Sequence, residues 1–258
     1  MMHFTDKVVL VTGAAGAIGK GVAAAFCEAG AKAFITDLQP DAVNAAIEEI
    51  GGSCRGLAAD VTNEAQVKSV VAAAADAFGG RVDVLVNVAG ITGQGRIEDL
   101  TEEEWDKVYA VNCKGTFFFI KHVVPIMKVQ GSGKIVNYSS KSGKTGSALL
   151  SHYSSAKAAV IGLTQSLAYE LAEHGINVNC ICPGIVENTG VWNVLATEYM
   201  KNLDLNESQV IERFTAKVPL KRLTKIKDVV AVTLFLSSEG ADYMTGQAIN
   251  VTGGREMH

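Results

Sequence analysis

Tyr153 and Lys157 stand four residues apart in a stretch, Tyr153 to Glu173, whose Ala and Leu content favours helix. Four residues is one helical turn, so the two side chains share a face. An ammonium beside a phenol stabilises the phenolate and draws a pKa of about 10 toward neutrality, which makes Tyr153 an acid or base usable near pH 7. Ser140 lies thirteen residues earlier, behind a β-branched run in which Ile135 and Val136 lead to Tyr138. That run reads as a buried strand, and a hydroxyl at its end can donate to the same substrate oxygen. The three residues suit proton transfer at that oxygen. Taken alone, Tyr-x-x-x-Lys also fits a solvated helix face.

A second chemistry-bearing stretch lies near the N-terminus. TGAAGAIG, Thr12 to Gly19, follows a first strand and opens a first helix. Gly13, Gly16 and Gly19 let the backbone turn sharply and let a pyrophosphate approach the free N–H groups of the helix. Asp37 ends a second strand, eighteen residues beyond Gly19. A carboxylate there can accept both ribose hydroxyls of an adenosine and repels a 2′-phosphate, so NAD is favoured over NADP. Capping the helix that starts near Asp41 is the competing role for Asp37.

The elements that must position these residues alternate along the chain. Strands read at Lys7 to Thr12, Lys32 to Asp37, Leu57 to Asp60, Val82 to Val88, Ile135 to Tyr138, Ile176 to Cys182 and Ala248 to Val251. Helices read at Ala17 to Ala29, Asp41 to Ile50, Glu64 to Phe78, Glu103 to Val111, Gly115 to Lys128 and Tyr153 to Glu173. Short apolar runs alternating with longer helical ones predict a parallel sheet covered on both faces. Between Gly184 and Pro219 come two helical pieces, near Val191 to Leu203 and Glu207 to Lys217, with no strand. An insertion there lies at the carboxyl edge of the sheet and reads as a lid.

With 258 residues, 48% of them hydrophobic, 26 Gly and 4 Pro, the chain suits one large α/β domain. The net charge is −4 and the basic residues are scattered, so nothing argues for nucleic acid. No apolar run is long enough to cross a bilayer, and the expectation is a cytoplasmic protein. Cys27, Cys54, Cys113, Cys180 and Cys182 lack metal-ligand spacing, so no metal site is expected.

Together the motifs resemble the short-chain dehydrogenase/reductase family, whose catalytic Ser, Tyr and Lys have the spacing of Ser140, Tyr153 and Lys157. The resemblance covers nearly the whole chain. It implies one domain over residues 1–258, a doubly wound Rossmann fold of seven parallel strands with helices on both faces and a lid over about 185–218. It also implies hydride transfer between a secondary alcohol and a nicotinamide cofactor. Asn112 matches the family's fourth catalytic position, where it marks a kinked helix and a water linking Lys157 to solvent; by itself Asn112 reads only as a helix cap.

Lys157 is further implied to hold the nicotinamide ribose. The family pattern Thr-Gly-x-x-x-Gly-x-Gly has Ala17 at its middle glycine here, followed by Ile18. Asp60 and Val61 match the pair that holds the adenine ring. Asn87-Val88-Ala89-Gly90 resembles Asn-Asn-Ala-Gly, with Val88 as a departure. Pro183-Gly184 matches the turn after the sixth strand, placing Ile185 and Val186 against the nicotinamide. The usual Thr falls one place late, at Thr189. A homotetramer is implied, paired through the helices that carry Asn112 and Tyr153.

Ser139 to Lys144, Val218 to Arg222 and Gly246 to Gly254 are similar to the polyol dehydrogenases of the sorbitol-6-phosphate 2-dehydrogenase type. The expected small-molecule substrate is therefore a sugar alcohol, with a phosphorylated one as a candidate. Lys141 and Lys144 lie near Ser140 and could reach a phosphate, or could be solvated loop lysines. Trp192 offers a flat apolar wall in the lid, and His152 either lines the pocket or faces water. The competing activity is a 3-oxoacyl-(acyl-carrier-protein) reductase, which uses the same four residues, commonly with NADP; Asp37 speaks against it. A scaffold without turnover is disfavoured by the presence of Ser140, Tyr153 and Lys157.

Overall fold

The run Val8–Thr12 forms strand β1 with every side chain buried, as a strand covered on both faces requires. The computed structural model describes residues 2–258, apart from the side chains at positions 191, 195, 198, 199 and 201–203. β1 pairs with β2 (Lys32–Thr36) on one side and β4 (Val84–Asn87) on the other. Outside these come β3 (Arg55–Gly56), β5 (Gly133–Tyr138), β6 (Ile176–Pro183) and β7 (Ala248–Val251). The sheet has seven strands in the order β3-β2-β1-β4-β5-β6-β7, with every pairing parallel. This is the Rossmann arrangement expected, with the strand order reversing between β1 and β4.

Alternate residues along each strand feed two cores. Val9, Val11, Ile35, Val84, Val86 and Val136 pack on one face against α1 (Ala17–Glu28), α2 (Pro40–Ile50) and α10 (Ile226–Ser237). Leu10, Phe34, Leu85, Ile135 and Val178 point the other way. They meet α3 (Glu64–Ala77), α5 (Thr116–Gln130) and α7 (Ser151–Leu171). Full burial of each such aliphatic side chain stabilises the fold by about 1.5–3 kcal/mol.

Three local expectations differ from the structure. The third strand is the short Arg55–Gly56 rather than Leu57 to Asp60, although Leu57 and Ala59 still donate to the Ile35 and Asp37 carbonyls at 3.1 and 2.9 Å. The two helices predicted on either side of Asn112 are one continuous run: α4 (Glu102–Tyr109), a π-helical turn over Ala110–Gly115, then α5. α10 was not apparent in the sequence at all, because its Val- and Thr-rich run reads against helix. Packing decides it instead, since α10 lies close enough to α1 that a Cβ at Gly21 would stand 2.9 Å from Ile226 Cγ2. The excursion after β6 contains α8 (Gly190–Leu203) and α9 (Glu207–Thr215), whose Trp192, Ala196 and Val210 form a small core with Leu223. Among the described residues no helix is long and apolar enough to cross a membrane.

Candidate active site

A cleft of about 480 Å³ runs along the carboxyl edge of the sheet, where ligands of doubly wound folds bind. Its near end is the loop between β1 and α1. Gly13 has a φ of +64°, and a Cβ there would stand 2.8 Å from the Ala89 backbone, so only glycine lets the two loops touch. Thr12 Oγ1 accepts from the N–H groups of Val88 and Ala89, both at 3.1 Å, and ties the ends of β1 and β4 together. Gly16 caps α1, and Ala17 is its first helical residue, so the methyl that replaces the family glycine rides on the first turn.

Asp37 accepts from the N–H of Ala15 at 2.9 Å and of Leu38 at 2.7 Å. It therefore does not cap α2, whose N-cap is Gln39. Its carboxylate braces the glycine loop from the cleft wall and retains lone pairs for a ligand. The Asp60 carboxylate accepts from the N–H and hydroxyl of Thr62, which fixes the turn that presents Val61.

Ser140, Tyr153, Lys157 and Asn112 meet on the far wall of the same cleft. β5 delivers Ser140 at its end, and α7 delivers Tyr153 and Lys157 one turn apart. Ser139 Oγ donates to the Lys157 carbonyl at 2.7 Å, and a Cβ at Gly143 would stand 2.7 Å from the Lys157 carbonyl carbon. The end of β5, the short helix α6 (Ser142–Thr145) and α7 are thus pressed into one unit. Asn112 lies inside the π-helical turn, not at a helix cap: its Nδ2 donates to the Val108 and Ile91 carbonyls at 2.8 and 2.9 Å. π-turns of this kind recur at functional sites. A Cβ at Gly90 would meet Asn112 Oδ1 at 2.7 Å and Lys157 Nζ at 3.1 Å, so these three groups converge, and Asn112 Oδ1 is buried without a partner among the described residues.

The electrostatics depart from the expectation of a phenol drawn toward neutrality. Burial pushes the Tyr153 phenol up, and a hydrogen bond with Ser140 offsets part of that. Lys157 Nζ lies 5.8 Å from the centre of the Tyr153 ring and donates to the Tyr138 carbonyl at 2.9 Å. Burial in turn pushes the Lys157 ammonium down to about 8. Desolvation is the largest influence on both groups, ahead of the Ser140 hydrogen bond at Tyr153 and of the neighbouring cysteines at Lys157.

The cleft wall includes the expected Gly13, Gly16, Ala17, Ile18, Gly19, Asp37, Asp60, Val61, Ala89, Gly90, Pro183, Gly184, Val186 and Thr189. Asn87 does not line it: Nδ2 donates to Asn137 Oδ1 at 2.9 Å, joining β4 to β5 from within the core. Thr189 caps α8, its hydroxyl accepting from Trp192 N at 3.1 Å. Lys141 and Trp192 face the cleft, the indole edge-on to Phe214 at 6.2 Å. Lys144 and His152 do not. Lys144 Nζ donates to the Ala248 carbonyl at 2.7 Å, and His152 is buried beneath Gly93. Leu150, Ile91 and Phe214 also line the cleft. Nothing in their residue types distinguishes them from core, so sequence reasoning passed over them.

A family model described as Enoyl-(Acyl carrier protein) reductase matches residues 13–256. The chain is 38% identical to galactitol 2-dehydrogenase of Agrobacterium fabrum, over 99% of this chain and 100% of that one. It is 37% identical to the 3-oxoacyl-(acyl-carrier-protein) reductase FabG of Vibrio cholerae, at 99% and 100% coverage. Among solved structures, sorbitol-6-phosphate 2-dehydrogenase SrlD from Erwinia amylovora superposes with a TM-score of 0.93 at 35% identity, covering 97% of this chain and 100% of that one. A variant of actinorhodin polyketide ketoreductase with NADPH also gives 0.93, at 34% identity and 98% coverage of each chain. With its length matched almost throughout, this protein belongs to the short-chain dehydrogenase/reductase family, oxidoreductases that bind a nicotinamide cofactor.

Proposed function

We propose that this chain is an NAD-dependent dehydrogenase interconverting a secondary alcohol and a ketone on a sugar alcohol. The observation that carries this reading is the meeting of Ser140, Tyr153 and Lys157 on one wall of a cleft whose other end holds the glycine loop and Asp37. When bound, the nicotinamide supplies the hydride acceptor. The chain's own part is to hold and move a proton. Tyr153 takes the proton of the alcohol oxygen, Ser140 donates to that oxygen, and Lys157 grips the nicotinamide ribose. Asn112 and Gly90 hold the space through which Lys157 exchanges its proton.

A dinucleotide fits the residues present. Gly16 faces the cleft with only the Gly13 carbonyl near its Cβ position, at 3.3 Å, which leaves room for a pyrophosphate beside the α1 N-terminus. Asp37 places a carboxylate where the adenosine ribose would lie, and Leu38 and Gln39 beyond it offer no cation for a 2′-phosphate. Asp37→Asn keeps an acceptor for Ala15 and removes the charge. It is expected to lower the ratio of kcat/KM for NAD over NADP by about tenfold, one charge-assisted interaction. Steady-state kinetics with both cofactors checks this, and an unchanged ratio contradicts it.

The substrate reading draws on the polyol dehydrogenases among the relatives and on the polar, cation-bearing wall at Lys141. Lys141 is the candidate contact for a substrate's far end, whereas Lys144 is already committed to Ala248. The 37% identity to a 3-oxoacyl reductase supports the runner-up, reduction of an acyl thioester with NADPH. Oxidation of sorbitol or galactitol with NAD⁺, set against reduction of a 3-oxoacyl thioester with NADPH, separates the two.

A homotetramer is part of the same proposal. Phe118 and Phe119 are buried within the chain, but Phe117 on α5 and Tyr169 on α7 remain 45% and 91% exposed. Light scattering is expected to give four chain masses, and a monomer contradicts it.

A further inference from the structure

A second cavity of about 390 Å³ adjoins the cleft, and Lys141, Ser147, Gly184, Ile185 and Phe214 line both. Because Lys141 and Ser147 line both spaces, a substrate whose reacting carbon lies at Tyr153 has room to extend its remaining carbons into this chamber. The chamber's other wall carries Arg222, Arg255 and Glu256.

Those charges are unequally committed. Arg222 donates to both carboxylate oxygens of Asp228, at 2.5 and 3.1 Å, and to the Leu223 carbonyl at 3.0 Å. Arg255 makes one long bond, Nε to Glu256 Oε1 at 3.3 Å. The Glu256 side chain is only 9% exposed, and its Oε2 is buried with no hydrogen-bond partner among the described residues. Lys141 Nζ donates to Ser147 Oγ at 3.2 Å. The chamber thus holds an under-used carboxylate within electrostatic reach of the Lys141 side chain.

An ionised carboxylate only accepts hydrogen bonds, and leaving it short of donors in a buried site is unfavourable. A phosphate dianion offers Glu256 no donor and repels its carboxylate, while Lys141 and Arg255 attract it, so the phosphate ester is the competitor that Glu256 must discriminate against. A polyhydroxyl chain brings a donor and an acceptor at each carbon, and the lining holds partners for both: the Glu256 carboxylate, and the Lys141, Arg255 and Ser147 side chains.

We propose that this chamber holds the far hydroxyls of an uncharged sugar alcohol, with the Glu256 carboxylate accepting from one and Lys141 and Ser147 serving others. Glu256 then selects the free polyol over its phosphate ester. The inference rests on the sugar-alcohol reading above and narrows it.

The test compares wild type, Glu256→Ala and Glu256→Gln with NAD⁺ and either sorbitol or sorbitol 6-phosphate. Wild type is expected to prefer sorbitol. Glu256→Ala is expected to raise KM for sorbitol about 10- to 100-fold, the loss of a charge-assisted hydrogen bond, with kcat held within about threefold because the lost contact is remote from the reacting carbon. Glu256→Gln, which keeps the shape, is expected to narrow the preference for sorbitol over its phosphate about tenfold. A wild-type preference for sorbitol 6-phosphate overturns the proposal, as does a fall in kcat with KM unchanged. Wild-type inactivity on both alcohols removes the sugar-alcohol reading itself, an outcome distinct from wild-type activity that Glu256 does not influence.

Discussion

Tyr153→Phe is expected to lower kcat for alcohol oxidation by about a thousandfold while changing NAD affinity little. In the proposed mechanism the phenol oxygen receives the substrate proton, and a positioned general base contributes about 10²–10⁴ in rate. Phenylalanine keeps the ring and its packing on α7, so the cleft retains its shape. Because burial raises the Tyr153 phenol, the phenolate that accepts a proton is scarce at neutral pH. Oxidation should therefore accelerate as pH rises above neutrality. Reduction, which needs the protonated phenol, should hold its rate through the same range. Turnover measured across that range, with NAD binding followed by fluorescence, checks both parts; undiminished turnover in Tyr153→Phe removes the residue from the chemistry.

Lys157→Met is expected to abolish turnover and yet stabilise the fold. Lys157 is buried and its ammonium is held down to about 8, against about 10.5 in the unfolded chain. Between those values the unfolded state binds more protons, so stability rises with pH from about 8 to about 10.5. Below pH 8 the full cost of burying the charge is present, about 3 kcal/mol. Methionine removes that cost but forfeits the 2.9 Å bond to the Tyr138 carbonyl, worth about 1 kcal/mol. A net gain of about 2 kcal/mol corresponds to a Tm higher by about 4–8 °C at pH 7. Thermal unfolding at pH 7 and pH 10 checks the sign, because the advantage should shrink at the higher pH. A lower Tm at pH 7 would show that Lys157 stabilises the fold rather than burdening it. Stability given up for a charged group at the reacting centre is a common trade in active sites.

The sheet was legible because buried parallel strands write themselves as unbroken apolar runs such as Val8 to Val11. Tyr153, Lys157 and the glycine loop were legible because each is a local spacing. What escaped notice depends on contacts between distant parts of the chain. The family resemblance implied a kinked helix at Asn112, but no Pro or Gly pair announces the π-turn itself; it follows from Asn112 reaching Ile91 and from Gly115 packing where a Cβ would stand 2.8 Å from Val61 Cγ2. Lys144 and Lys141 are alike in sequence, and only the proximity of β7 commits one of them to Ala248. Glu256 is more than one hundred residues from Tyr153, and no periodicity connects them. Its place beside the cleft arises because the tail turns back, with Asn250 and Thr252 donating to the Glu256 carbonyl at 3.1 and 3.2 Å. The depressed Lys157 and raised Tyr153 were likewise beyond reach, since desolvation is a property of the packed site and not of the spacing.

NAD⁺ reduction by the purified protein, followed by the absorbance of the reduced nicotinamide, decides between the alcohol and thioester activities when sorbitol, galactitol and sorbitol 6-phosphate are supplied side by side at equal concentration. NADH is expected to form with a hexitol, and the signal to vanish in Tyr153→Phe. No reduction of NAD⁺ with any of the three, together with NADPH consumption on a 3-oxoacyl thioester, would contradict it and assign the chain to the reductases instead.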